Sequence, residues 1–261
     1  MRQFLLSVIP VLASVIIAVP VAAGSKMEGD GFDTPEEAVT AYIEGFGNND
    51  IDAMLSPFAI ETYVENYSIE KNVERMKAYI PSVKYLPNIS EFASRINSEI
   101  RREEIMGFIR GQYLVLQNSN LIVGDNAGQM VMIGEGKDYE SGSDFVAGYF
   151  ASDDSAYISD LRFDGDFIDP AKVSDAYTSE SNQKNLESLT EVMGADELRS
   201  TVSVFYRNED AFALCMDCAR YGDKWYLYTP QGNIAMLSGM PMEYCGLFPL
   251  EGQSLAELGI D

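Results

Sequence analysis

An α+β fold, with N-terminal helices packed on a curved antiparallel sheet, follows from three patterns in the chain. From Thr34 onward, apolar residues recur at helical spacing behind capping residues. From Thr201 to Thr229, apolar and aromatic residues alternate at period two, and polar turns divide them into three runs. Between these regions lie a long helical stretch up to Leu116 and a strand-like, Gly- and Asp-rich stretch from Gln129 to Phe163. The sequence therefore reads as a helical part (34–117), a mainly sheet part (129–229) and a loop-rich tail (230–261). Residues 24–261 form one domain in this reading.

The chain opens MRQFLLSVIPVLASVIIAVPVAAG. One Arg precedes an apolar run ending Val21-Ala22-Ala23, a pattern that fits a secretory signal, residues 1–23, cleaved before Gly24. The run is also about the ~20 residues that span a bilayer, so an uncleaved anchor is the competing reading. Pro10 and Pro20 interrupt it, and no basic stop-transfer cluster follows. Ser25–Gly31 reads as a short disordered lead.

Thr34-Pro35-Glu36-Glu37 starts the first helix: Thr34 caps, Pro35 suits the first turn, and Glu37 completes a capping box. Ala38, Val39, Tyr42, Ile43 and Phe46 make its apolar face, and Gly47 with Asn48-Asn49 ends it. Asp50 caps a second helix carrying Ile51, Met54, Leu55 and Phe58. Ile60 to Tyr67 suggests a third, and Val73 to Ile80 a fourth, stopped by Pro81. From Ile89 to Leu116 the expected stripe is Phe92, Ile96 and Ile100, then Ile105, Phe108 and Ile109. Arg95, Arg101, Arg102 and Arg110 read as a solvated face partnered by Glu99, Glu103 and Glu104, with an anion-binding patch as the alternative.

Gln129–Ile133, Phe145–Ala151 and Ala156–Phe163 read as strands. Asp169-Pro170 starts a helical pair that closes at Gly194. The meander follows, with runs at Val202–Tyr206, Phe212–Arg220 and Lys224–Tyr228, and the tail holds a helical piece at Ile234–Leu237.

Composition narrows the chemistry. The formal net charge is −23, which disfavours nucleic acid and anionic membrane surfaces. A membrane association enters only through an uncleaved N-terminus. There is no His, so catalysis by a His base or by Ser-His or Cys-His pairs is excluded. Cys215 and Cys218 have C-x-x-C spacing but fall in a strand, away from the helix N-terminus that a redox pair uses. The three cysteines point either to one disulfide, Cys218 to Cys245 being favoured over Cys215 to Cys245, or to buried thiols. A zinc site is short of ligands. Ser68-x-x-Lys71 and Ser181-x-x-Lys184 match an acyl-enzyme pattern without its accompanying Lys-Thr-Gly. Asp164, Asp166 and Asp169 resemble a loose calcium loop, although Arg162 and Ala171 break the EF-hand pattern. No cofactor or metal is expected.

Two segments resemble the nuclear transport factor two-like, cystatin-like cone superfamily. Thr34 to Tyr42, running on to Asn49-Asp50-Ile51-Asp52-Ala53-Met54, is similar to its opening helix and turn. Tyr221-Gly222-Asp223-Lys224-Trp225-Tyr226-Leu227 is similar to its final hairpin. Uncharacterised secreted proteins of Gram-positive bacteria also join such a helix to such a hairpin. The resemblance implies a cone with a long helical insertion, in which Tyr42 and Phe46 meet Trp225 across a pocket or simply fill the core. It implies an exported bacterial binding or interaction module for an unidentified small ligand or protein. One alternative is an enzyme of the same cone using Asp, Glu or Tyr; another is a membrane-anchored envelope component. A buried carboxylate with a raised pKa at the pocket floor favours the enzyme.

Overall fold

The computed structural model describes residues 26–78, 85–116, 129–149, 161–207 and 210–250. The expected signal segment lies outside them. Among the described residues no helix is long and apolar enough to cross a membrane.

The helices begin where their caps place them. Helix α1 (Pro35–Gly47) has the full capping box, with Thr34 accepting from the Glu37 amide and Glu37 reaching back to the Thr34 amide. Asp50 caps α2 (Ile51–Leu55). Helix α3 (Glu61–Asn66) lacks a cap of its own at Ile60. Glu28 supplies one from a distance: its carboxylate accepts from the amides of Ile60 and Thr62 and from the Thr62 hydroxyl. The lead is thus ordered, contrary to expectation, because its carboxylate satisfies orphan helix donors. Phe32 also bridges to Trp225.

Ser68 caps α4 (Ile69–Met76) by accepting from the Lys71 amide, so that S-x-x-K spacing is a helix start. The second falls in the first turn of α8 (Glu180–Met193), where Lys184 pairs with Glu180. Helix α5 (Glu91–Leu116) is the long helix of the chain. Of the expected strand Phe145–Ala151, the described residues Phe145–Tyr149 are helical and the rest lie outside the described part. Ser141 caps α6 (Gly142–Tyr149) by accepting from the Asp144 amide, and local capping overrides the β-branched and aromatic content. Gln129–Ile133 holds only an isolated bridge from Ile133 to Tyr139. Of Ala156–Phe163, the residues to Asp160 lie outside the described part, and β1 (Leu161–Ile168) takes the remainder. Asp169 caps the short α7 (Pro170–Val173), which commits that carboxylate to a backbone amide. Asp164 pairs with Arg162.

Strands β2 (Glu197–Arg207), β3 (Asp210–Tyr221) and β4 (Lys224–Pro230) form the meander read from the sequence. The order is β1-β2-β3-β4, all antiparallel. The tail adds α9 (Gly232–Leu237) and an unforeseen β5 (Leu247–Pro249), which pairs with β3 at Phe212–Leu214, beyond the reach of β4. The expected class, helices on a curved antiparallel sheet, is the one observed.

The sheet is covered on both faces. On one, Phe212, Leu214, Met216 and Cys218 of β3 join Phe205, Trp225 and Leu227 under α1 and the later half of α5. On the other, Val202, Val204, Ala213 and Cys215 pack with Ile234 and Ala235 of α9, while Ala219 and Tyr226 pack with α8. The uninterrupted apolar run Ala211–Met216 carries this signal: a strand wet on one side alternates, and this one does not.

Candidate functional site

Tyr42, Phe46 and Trp225 do share one core. Tyr42 is 1% exposed, its ring set edge-on to Phe58 at 5.6 Å, and its hydroxyl donates to Gln112 Oε1. The Gln112 amide nitrogen in turn donates to the Cys245 carbonyl at 2.8 Å. Burial pushes the Tyr42 hydroxyl far above its ordinary pKa, so it stays neutral. The void beside Tyr42 and Phe46 has a volume of about 10 Å³, and Trp225 does not line it. That is space for about one water, not a ligand. Trp225 is closed off by Arg199 and Arg220, whose guanidiniums lie 5.1 and 5.9 Å from its ring. The expected pocket is packed solid because α1, α5 and β5 all press side chains into the hollow.

The expected Cys218–Cys245 bridge is not formed; Cys215, Cys218 and Cys245 are free thiols. Cys218 lies beneath Pro35 of α1, whereas Cys245 abuts Gly111 of α5, where any added Cβ would collide with its sulfur. Cys215 points to the opposite face. Burial pushes the Cys215 thiol up to about 12, which makes it unreactive at neutral pH.

Open space lies on that opposite face. A crevice of about 550 Å³ is floored by Val202, Ala213, Cys215 and Leu250. Lys172 and Val173 of α7 form one wall, and Ser238 to Pro241, following α9, form the other. Its volume is typical of small-ligand sites, as is an apolar floor with a few polar groups at the rim. Lys172, an exposed cation, has no ion pair among the described residues. Sequence reading missed this site because it packed only the N-terminal helices on the sheet; the run Ala211–Met216 was the available sign of a second covered face.

Further along the same face of β3 sits Asp217, 2% exposed. Burial raises its carboxyl to about 6, against the lowering pull of its hydrogen bonds. The Ser200 hydroxyl donates to Oδ1 at 2.6 Å, and the Asn233 amide in the first turn of α9 donates to Oδ2 at 2.8 Å. Gly232, at φ +32°, lies so close to this carboxylate that a side chain would strike it. Asp217 does not line the crevice, and both oxygens are committed, Oδ1 to Ser200 of β2 and Oδ2 to the start of α9.

No family model and no curated protein matches the chain. Among solved structures it is similar to a cystatin-like protein from Ruminococcus gnavus ATCC 29149. The two share 13% identity with a TM-score of 0.45, over 84% of this chain and 45% of that one. The chain thus spans less than half the length of that protein.

A second polar centre lies on α5. Arg101 is buried, its guanidinium 4.7 Å from the Tyr63 ring and 5.1 Å from the Tyr228 ring. It donates to the carbonyls of Tyr228 and Ala59 and pairs with Glu104 at 3.3 Å. The Tyr228 carbonyl is free to accept because β4 bulges there: Asp217 faces Thr229 while Cys218 faces Leu227, leaving Tyr228 unpaired. Arg101 is therefore a structural cation, not part of a solvated row.

Proposed function

We propose that this is an exported, non-catalytic binding module that holds a small, largely apolar molecule in the crevice of about 550 Å³ between β3, α7 and the segment after α9. That crevice is the observation that carries the reading. Its apolar floor supplies affinity by area, and Lys172 at the rim suits a carboxylate or other polar end. The placement of Asp217 speaks against catalysis: the carboxylate with the raised pKa stands apart from the crevice, with both oxygens used. Export is proposed from residues 1–23, and the intact mass of the protein in medium and in cell fractions tests it. A chain beginning at Gly24 in the medium supports export, and a chain that keeps Met1 and stays with the cells overturns it.

A fluorescent polyene fatty acid tests the site. The expected result is saturable one-to-one binding that Val173→Trp, which plugs the half-buried wall, weakens at least 10-fold without altering the fold. Non-saturable binding, or binding indifferent to the plug, overturns the proposal.

A further inference from the structure

One wall of the crevice belongs to a closed loop. The chain between β4 and β5, residues 231–246, leaves β3 and returns to it at the same point, Cys215 on the crevice floor. The Gln231 amide donates to the Cys215 carbonyl at 3.0 Å, and the Cys215 amide donates to the Gly246 carbonyl at 2.8 Å. The two ends touch: a side chain at Gly246, itself at φ +80°, would strike the Gln231 backbone. Compact surface loops of about 6–16 residues with joined ends are frequently functional. This one carries α9 and, after it, Ser238 to Pro241, which line the crevice.

The two legs of the loop are held differently. The return leg is tied by a neutral hydrogen bond, from the Gln112 amide nitrogen to the Cys245 carbonyl, and Tyr244 packs on the core under α1. The entry leg depends on a carboxylate. Asp217, two residues along β3 from the neck, accepts from the Asn233 amide at 2.8 Å, while Ser200 fixes its other oxygen. Gln231, just before, sits at φ +78°, a conformation that a residue with a side chain adopts at a cost. Asn233 Oδ1 is buried with no hydrogen-bond partner among the described residues. Burial adds little grip: Ile234 and Ala235 are covered, whereas Met236 and Met242 are 64% and 71% exposed. The entry is therefore the weaker leg, and Asp217 is its catch.

The catch faces no cation. Around it stand Ser200 of β2, Thr229 and Tyr228 of β4, and the first turn of α9 with Asn182 of α8 behind it. The thiols of Cys215 and Cys218 flank it on its own strand. No Lys or Arg pairs with it among the described residues. The neutral acid keeps both contacts, donating from Oδ1 to Ser200 and accepting at Oδ2 from Asn233. The ion keeps them only by remaining out of water without a counter-ion, and opening the loop relieves that. The same burial raises the carboxyl to about 6.

We propose that the loop 231–246 is a gate on the crevice: an uncharged Asp217 keeps it shut, and ionisation of Asp217 lets the entry leg swing out about the return leg. A bound molecule is held in mildly acidic surroundings and released as they turn alkaline. That release rests on the crevice being a binding site; the motion of the loop does not.

Hydrogen exchange on peptides spanning 231–241, corrected for the intrinsic pH dependence of exchange, tests the gate with no ligand present. Opening that hydrates Asp217 should be roughly 10-fold more populated at pH 7.5 than at pH 5 in the parent, while β2 and β3 stay protected. Asp217→Asn should show no such rise. Ser200→Ala removes a bond that favours the ion, so its rise should come at higher pH. A parent loop indifferent to pH overturns the gate. So does an equal loss of protection in β2, β3 and the loop, because Asp217 then acts on the whole fold. The fluorescent polyene fatty acid reads the consequence: its release from the parent should quicken over this pH range relative to release from Asp217→Asn. Titration of the probe and of Lys172 cancels in that ratio. Gated exchange without saturable binding sinks the crevice reading and leaves the gate standing, and saturable binding with ungated exchange does the reverse.

Discussion

Helix α1 buries Ala38, Val39, Tyr42, Ile43 and Phe46 and turns Glu37 and Glu44 outward; the first half of α5 buries Asn97, Ser98 and Arg101 and turns Phe92 outward. The two differ in the surface they meet. Under α1 lies the sheet's apolar face, which asks only for hydrocarbon. Under early α5 lie the Tyr63 and Tyr228 rings, the carbonyls of Ala59 and of the bulged Tyr228, and the backbone of Leu86. A planar guanidinium can stack on the rings and donate to the carbonyls at once, which no apolar side chain does. Asn97 meets Leu86 on both sides, accepting from its amide at 2.8 Å and donating to its carbonyl at 2.7 Å. The buried polar groups are satisfied, so the inversion is tolerable. Which face of a helix turns inward is decided by the partner's chemistry as well as by the helix's own hydrophobicity.

The largest expected effect tests the ordinary half of this contrast. Tyr42→Ala removes a ring that is 1% exposed and leaves the Gln112 carbonyl without its donor. The loss is expected near 4 kcal/mol, a fall of roughly 10 °C in Tm. Tyr42→Phe keeps the ring and should lose only about 1 kcal/mol. A Tyr42→Ala loss below about 1 kcal/mol would mean that α1 does not seat on this sheet.

Next comes the inverted half. Arg101→Ala is expected to cost about 3 kcal/mol, from carbonyls left unsatisfied and rings left unstacked. Arg101→Lys should recover only part of this, since a lysine keeps the charge without the plane. Chemical denaturation of the three proteins measures it. A cost within about 0.5 kcal/mol, the usual range of surface substitutions, would return Arg101 to the solvated row expected from sequence.

Much of the fold was legible because its signals are local. Thr34, Asp50 and Asp169 cap helices as read, Gly194 closes α8 at φ +63°, and the meander follows its period-two runs. What escaped depends on distant partners. Glu28 ordering the lead, β5 joining β3 and the β4 bulge freeing the Tyr228 carbonyl all arise from contacts far apart in the chain. The candidate site was less legible: Tyr42 and Phe46 lie in one core with Trp225, but the crevice of about 550 Å³ is on the other face.

The two faces of the sheet extend the contrast to pH. On the α9 side, Asp217 holds its proton up to about 6, whereas an unfolded Asp releases it near its ordinary value of 3.8. The folded state thus keeps a proton that the unfolded state loses between these values. Stability from this group is fully present below about 3.8 and declines as pH rises to about 6. Asp217→Asn removes that dependence, because its amide can donate to Ser200 while its carbonyl accepts from Asn233. Relative to the parent, the variant should gain stability from pH 4 to pH 7 by roughly 3 kcal/mol. Urea melts at several pH values read this directly; parallel curves for the two proteins would show that Asp217 does not change its charge there.

The smallest expected effect is the most discriminating. If periodicity alone governed α5, Phe92→Ser would open a cavity costing about 3 kcal/mol or more. With the side chain 74% exposed, the loss should stay within about 0.5 kcal/mol. A slight gain in solubility should accompany it, because an apolar stripe is broken. Placed beside Arg101→Ala, the pair inverts the usual ranking of phenylalanine and arginine on one helix, nine residues apart. A costly Phe92→Ser with a harmless Arg101→Ala would rotate α5 by about half a turn, and the outward stripe would then be core.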